Sequence, residues 1–586
     1  MRKNVLIVLC LLLSVTAVVA REIPREKAAE AAAEVFRTNG RAVAGTKSGA
    51  NGVQAASLRL VKETPSMYVF ENEDDGFVIA SADDVALPVL GYSLNGRFPT
   101  DDMPVNMKSM LDWYERVIAY ARQQGWGPST GIVTGRDDPE VVLKTAPWGQ
   151  SSPFNDLAPI IDGQKCPSGC VATAQAIIMK YYNYPERGTG VLPGYDFGWD
   201  SETEQYKYHI DGYALGHTYD WENMPENARN RTEYQNAQIA QLLYDIGVMS
   251  KMDYAPGGSG ASSLSPLYLT EYFGYDKSMR YESREYYTDE RWEQMIRDEI
   301  DAGRPVFHCG FRPGAGHAFV LDGYRGRYFS INYGWSGGSA WYLLTPVAGH
   351  QEELTIYNQG QDMVTHIFPD EGNEPYINVV VPGYFTPFRW NFAEKTIWGG
   401  WIWLWNYSVS SADVDIAFGL FNRDDLFKQI LSETVRMDPA VDYVPRMDIT
   451  LPNRIEDGDQ ILLAQWSAGS WIPLMQPRAF RIQFDRSRKL PQMISVGHSF
   501  GKRDNTDSDD TPVIYFDMYK DIWWEIEDEE GQRLIDSSMD QLYVSVSYKM
   551  LDQDTGLVRF ELEMPEGTYR MTVRNFDETM SFTFTL

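Results

Sequence analysis

The apolar positions of the chain change rhythm three times. Up to about residue 125, two helical stretches flank a run of short strands. Glu26–Phe36 is rich in Ala and Glu, and Met107–Arg122 sets Met107, Met110, Leu111, Tyr114, Val117, Ile118 and Ala121 on one side of an amphipathic helix. Between them Ser57–Lys62, Met67–Glu71 and Gly76–Ser81 alternate or run apolar over strand length, separated by Pro, Asp and Gly. This pattern predicts a small α+β unit. Gly125–Pro147 then loses periodicity and gains Gly, Pro, Ser and Thr, which predicts an exposed linker of the kind where proteolytic nicking concentrates.

From Trp148 to about Pro369 helices come first and strands later. Val171–Tyr182, Tyr234–Met249 and Asp289–Ala302 have helical spacing; Pro305–Phe311, His317–Gly323, Tyr328–Tyr333 and Ala340–Thr345 read as strands. That order predicts an α+β domain of two facing lobes, with the Gly-rich Gly257–Ala261 and Gly334–Ser339 segments as rim loops. Past Asn373 helical periodicity is nearly gone. Tyr376–Val381, Ile397–Trp405, Val414–Leu420, Ile461–Gln465 and Arg478–Phe484 are strand-like runs, and Lys502–Asp510 marks a polar boundary. Leu542–Tyr548, Leu557–Leu562 and Thr568–Val573 then repeat the style, predicting two β-sandwich domains. The expected division is a leader at 1–20, units at 21–136 and 137–369, and sandwiches at 370–490 and 491–586.

Length agrees, since 586 residues suggest roughly three to five domains. A hydrophobic content of 43% and an aromatic content of 13% are globular values. The formal charge of −30 argues against a nucleic-acid partner or an anionic membrane surface, because phosphate binding needs a basic face. Residues 1–20 have the anatomy of a secretory signal: Arg2 and Lys3, an apolar Val5–Val15, and the small-residue end Val18-Val19-Ala20. No other stretch reaches transmembrane length. A small folded unit between such a leader and a cuttable linker is either a prosegment or an ordinary N-terminal domain. Without the leader three cysteines remain, Cys166, Cys170 and Cys309, so an exported monomer leaves at least one thiol unpaired.

Cys170 opens the helix that follows Cys166-Pro-Ser-Gly169. There the unpaired N–H groups and the helix dipole favour a thiolate, while Gly169 permits close backbone approach. A nucleophilic thiol needs a base, and histidine is the group suited to that work. Among seven histidines, His308 and His317 lie on apolar strands, and His317 begins a hairpin that runs to Trp335. A turn at Tyr324-Arg325 would put His317 opposite Asn332, an amide able to hold the imidazole in one tautomer. Trp335 would then shield that hydrogen bond from water. An oxyanion needs donors, and the candidates are the Cys170 N–H and Gln150, twenty residues upstream.

Trp148-Gly-Gln-Ser-Ser-Pro-Phe-Asn155, Gly169-Cys-Val-Ala-Thr-Ala174, Met179-Lys-Tyr-Tyr-Asn-Tyr-Pro185, Gly316-His-Ala-Phe-Val320 and Asn332-Tyr-Gly-Trp335 together resemble the streptopain family of papain-like cysteine peptidases. His317 lies 147 residues after Cys170, inside the ~130–150 of papain-like enzymes, and Asn332 lies 162 after it, slightly beyond. The resemblance implies a papain-like two-lobed catalytic domain, α+β in class, preceded by an α+β prodomain, with Tyr68–Phe98 similar to the family's prosegment. It implies a secreted zymogen acting on protein and peptide substrates, its own prodomain being an intramolecular inhibitor, with no metal or cofactor. It further implies Cys170 as nucleophile, His317 as base, Gln150 in the oxyanion hole, Asn332 near the His, and preference for a bulky apolar residue two positions before the cut. The family often has Trp directly after the Asn; this chain has Tyr333. Cys166 is an additional thiol, either free or paired with Cys170 or Cys309.

Two other readings stay open on sequence. In one, the β-sandwiches bind or adhere and the peptidase region is an inactive scaffold. In the other, a Cys-His acyl transferase incorporates amines. Arg136 and Lys144 are the candidate processing sites.

Overall fold

A computed structural model describes the chain from Arg21 to Thr585, apart from 40–52, 130–138, 227–230, 311–316, 349–353, 355–359 and further stretches, most of them beyond 380. The leader at 1–20, Arg136 and the boundary at Lys502–Asp510 lie outside the described residues. The described residues up to Asn378, with Tyr407–Ser410, form one compact unit and the other described residues a second.

In the first unit helix α1 (Arg25–Asn39) buries Ala28, Ala29, Ala32, Ala33, Val35 and Phe36, a face of small residues that lets it lie close to a sheet. That sheet begins as a meander of β1 (Arg59–Glu63), β2 (Met67–Glu71), β3 (Phe77–Ser81) and β4 (Val89–Ser93). Helix α2 (Val105–Gln123) buries all seven residues of the expected apolar face. Strand β4 was not anticipated, because Pro88 and Gly91 interrupt its alternation; Gly91 is where the chain needs no side chain. A Cβ there would lie 2.5 Å from Cδ1 of Tyr342.

That close approach joins the two halves of the unit. After β5 (Glu140–Val142) come α3 (Cys170–Tyr182), α4 (Glu233–Met249), β6 (Arg280–Ser283), α5 (Asp289–Asp301), β7 (Val306–Gly310), β8 (His317–Arg325), β9 (Tyr328–Asn332), β10 (Ala340–Leu343) and β11 (Asp362–Thr365). Gly91 and Tyr92 pair with Tyr342 and Trp341, so the N-terminal meander continues into the later strands as one eleven-stranded sheet. Its order is β1-β2-β3-β4-β10-β9-β8-β7-β11-β6, with β5 also against β8. Two cores lie on it. One joins α1, α2 and the meander to Phe319, Leu321, Phe329 and Tyr342; the other joins α3 and α4 to Phe307, Ala318 and Val320. Strand β8 is thus buried on both faces, which is why it reads as a continuous apolar run.

Three expectations are corrected. The hairpin turns at Gly326-Arg327, not Tyr324-Arg325: Arg325 pairs with Tyr328, and Gly326 has φ +54°. The linker reading fails beyond Pro139, because Glu140–Val142 pair with Arg325–Gly323 of β8. The helical half also contains strands, notably the hairpin Tyr195–Asp200 with Gln205–Ile210. The second unit holds antiparallel sheets of three, three, five, four and four strands, with no helix among its described residues. Among the described residues no helix is long and apolar enough to cross a membrane.

The Tyr114 hydroxyl, on α2, lies 3.0 Å from the Leu90 carbonyl oxygen and 2.6 Å from that of Leu343, one on each side of the β4/β10 junction. Burial pushes its pKa up, so it stays a donor. Tyr114→Phe is expected to lower unfolding stability by about 1–2 kcal/mol through the carbonyls it leaves unsatisfied, as measured by urea titration of a Cys170→Ala background; an unchanged midpoint contradicts the clamp.

Candidate active site

Helix α3 starts at Cys170 because the residue before it is glycine. Gly169 has φ +90°, and a Cβ there would lie 2.6 Å from the Met252 sulfur. The Thr173 N–H and hydroxyl both donate to the Gly169 carbonyl, at 3.0 and 2.9 Å, which fixes the first turn. Residues 170–179 of this helix are all buried, so the helix is a core element as well as a platform.

The Cys170 thiol is buried, and that burial pushes its pKa up from 9.0. Backbone N–H groups of Ala318, Val171 and Cys170 itself act in the opposite direction without overcoming it. The expected thiolate-favouring effect of the helix start is therefore outweighed by desolvation. The Ala318 donor matters for a second reason: it brings the start of β8 to the sulfur. His317, the first residue of that strand, pairs across to Gly310, and Ala318 pairs with Cys309.

Cys309 feels Cys170 electrostatically, but burial is the larger cause of its strongly raised pKa. All three cysteines are buried and free, which removes both disulfide alternatives for Cys166. Cys166 is instead a core residue whose thiol burial pushes up, and its carbonyl accepts from Asn155 Nδ2 at 2.8 Å.

Gln150 is 7% exposed, and its main-chain oxygen accepts from Ser168 N–H at 3.0 Å. The Trp148–Gln150 segment is thereby tied to the loop that leads into Cys170. Trp148 is fully buried and donates its indole N–H to the Pro225 oxygen at 3.2 Å.

Asn332 does not lie opposite His317. It pairs with Val320, because the hairpin turns two residues later than expected and Asp322 is an extra residue in β8, opposed by nothing between Leu321↔Ile331 and Gly323↔Ser330. The Asn332 amide is 2% exposed; its nitrogen donates to Thr145 Oγ1 and to the Ala146 oxygen, each at 3.0 Å. Its oxygen accepts from Gly334 N–H at 3.1 Å, closing the turn that carries Tyr333 and Trp335. Trp335 is 41% exposed, so it stands at the rim instead of forming a buried shield. Tyr333 is the more enclosed aromatic, with its ring against Phe319 and Tyr342 and its hydroxyl 3.2 Å from the sulfur of Met110 on α2.

Thr145 and Asp322 were missed from the sequence. The signal for Asp322 was available, an acid in the otherwise apolar Ala318–Tyr324; Thr145 sat unnoticed in what read as a linker.

Residues 148–342 match the Peptidase C10 family, and residues 20–118 match the Spi protease inhibitor family. The thiol protease/hemagglutinin PrtT of Porphyromonas gingivalis is 31% identical over 382 residues, which span 61% of this chain and 43% of that protein. Streptopain of Streptococcus pyogenes is 32% identical over 336 residues, 54% of this chain and 83% of that one. A solved fragment of Prevotella intermedia prointerpain A, 32% identical, aligns with a TM-score of 0.46 over 54% of this chain and 99% of the fragment. With Cys170 opening its helix beside β8 and an inhibitor-like unit in the same sheet, the chain belongs to the Peptidase C10 family of cysteine peptidases.

Proposed function

We propose that this chain is an exported cysteine endopeptidase made as a zymogen that its own N-terminal region holds inactive. Residues 21–136 act as the inhibitory prodomain and 137–369 as the catalytic domain; 370–490 and 491–586 are two β-sandwich domains, and 1–20 are removed on export. His317 takes the proton of the neutral Cys170 thiol, and the thiolate attacks the scissile carbonyl carbon. The Cys170 N–H and the Gln150 amide donate to the oxyanion, and the imidazolium protonates the leaving amine. Water, with His317 again as base, then releases the acyl group from sulfur. Asn332 holds the adjoining turn, and Trp335 at the rim is available to the substrate. A bulky apolar residue two positions before the cut is preferred, following the family resemblance.

The reading is supported above all by the place of Cys170 at the start of α3, where the Ala318 N–H of β8, one residue from His317, acts on its thiol. Inhibition by the N-terminal region is supported by the shared sheet and core, and by Met110 of α2 touching Tyr333 in the turn beside Asn332. A second reading, adhesion through the C-terminal strands, is favoured by a second unit with no helix among its described residues and by the word hemagglutinin in the name of PrtT. Haemagglutination by a Cys170→Ala full chain separates it from proteolysis.

Cys170→Ala is expected to leave the full-length form uncleaved and to abolish hydrolysis of a denatured protein substrate; persistent cleavage by that variant rejects the mechanism. Gln150→Ala is expected to lower kcat by about 10²–10³ with KM little changed, read by steady-state kinetics of the processed enzyme. Because Glu140–Val142 are sheet residues and Leu143 N–H donates to the Asp322 main-chain oxygen at 2.7 Å, the mature amino terminus is expected between Gly125 and Pro139 and not at Lys144. Amino-terminal sequencing of the processed protein checks this.

A further inference from the structure

Strand β8 is apolar from Ala318 to Leu321 and then places an acid in the interior: Asp322 is 3% exposed. The side chains that donate to its carboxylate among the described residues are hydroxyl groups, beside its own backbone N–H. Ser330 Oγ donates to Oδ1 at 2.6 Å, and Thr145 Oγ1 and Ser339 Oγ donate to Oδ2 at 2.6 and 3.1 Å. Burial pushes the carboxyl up to about 6 in spite of these donors. An acid kept inside without a cation is costly, and its position in a β-bulge is the kind of irregularity that re-aims a side chain near an active site.

We propose that Asp322 and Thr145 are positioning residues for the peptidase reaction, acting through Asn332. The inference rests on the reading of the chain as a Cys170 peptidase. The polarity of the chain of bonds is forced. An ionised carboxylate only accepts, so Thr145 gives its single proton to Asp322, and its remaining lone pair receives the Asn332 amide N–H. With its nitrogen held by Thr145 and by the Ala146 oxygen, Asn332 turns its oxygen to Gly334 N–H. This shapes the Asn332–Ser336 turn, which touches both walls of the site. A Cβ on Gly334, at φ +69°, would lie 2.9 Å from Thr173 on the Cys170 helix; Ser336 N–H donates to the Trp148 oxygen at 3.1 Å, two residues from Gln150. Asp322 and Thr145 thus set the spacing between the nucleophile's helix and the oxyanion donor. The segment after the processing linker becomes part of the active site's support.

The test is a double-mutant cycle on the full chain, processed in trans by the unsubstituted enzyme and assayed on an internally quenched peptide. Thr145→Val is expected to lower kcat by about tenfold to a hundredfold with KM within about twofold, since misplacement of reacting groups acts on the chemical step. Thr145→Ser, which keeps the hydroxyl, is expected to restore kcat to within about twofold. Thr145→Val is expected to add nothing to Asn332→Ala, because its effect runs through that amide. Losses that multiply, or a Ser variant as slow as the Val variant, overturn the assignment. If Thr145→Val does not accumulate as folded protein, Asp322→Asn with Asn332→Ala forms the same cycle with the same two outcomes. An unsubstituted chain that cleaves no peptide overturns the proposed function and this inference with it; a cleaving wild type with multiplicative losses overturns this inference alone.

Discussion

Ala318 to Leu321 are buried on both faces of one strand, and this double burial couples everything else in the first unit. Phe319 and Leu321 belong to the core shared with the N-terminal helices, while Ala318 and Val320 belong to the core under Cys170. A strand with no free face cannot shift its register without moving apolar groups out of both cores. It therefore fixes the backbone N–H of Ala318 against the sulfur and His317 one residue away. The Asp322 bulge ends this stretch. Past it β7 gives up its place and β5 takes over the same edge of β8.

The same burial explains the relation between the N-terminal region and the peptidase. The meander is attached as neighbouring strands of the same sheet, by the Gly91/Tyr342 approach and the Tyr114 hydroxyl between two carbonyls. Its helices cover apolar residues of β8, β9 and β10 that would otherwise face water. Loss of that cover is unfavourable in proportion to the area exposed. An inhibitor attached in this way is held by the hydrophobic effect and by continuous strand pairing. Met110 against Tyr333 links it to the turn next to Asn332.

At Cys170 two effects of burial oppose one another. The helix start supplies donors for a thiolate, yet the enclosure that brings those donors near also removes the water that would stabilise the charge, and desolvation is the larger. In the proposed mechanism a thiol so desolvated depends on a base for activation, which makes the geometry of the β8 hairpin and its supports more consequential than the helix dipole. In that mechanism Asp322, Thr145 and Asn332 act by holding this geometry.

Much of the first unit was legible from periodicity. The helices α1 to α5, the apolar face of α2 and the strands β2, β3, β7, β8, β9 and β10 follow from local composition and spacing, because helix and strand repeats are properties of neighbouring residues. Cys170 at a helix start after Gly169 was equally local. What local pattern does not carry is pairing between distant segments. The sequence placed the turn two residues early and had no means of placing a bulge at Asp322, so it set Asn332 against His317 instead of Val320. It took Glu140–Ala146 for linker, since three residues become a strand only when β8 offers them an open edge. It left Cys166 with three possible states, which burial in the core resolves as a free thiol. Residue types and their order thus determined the chemistry available to this chain. Tertiary structure decided which groups meet, because hydrogen bonds such as Thr145 to Asp322 span 177 residues and exist only when both cores are closed.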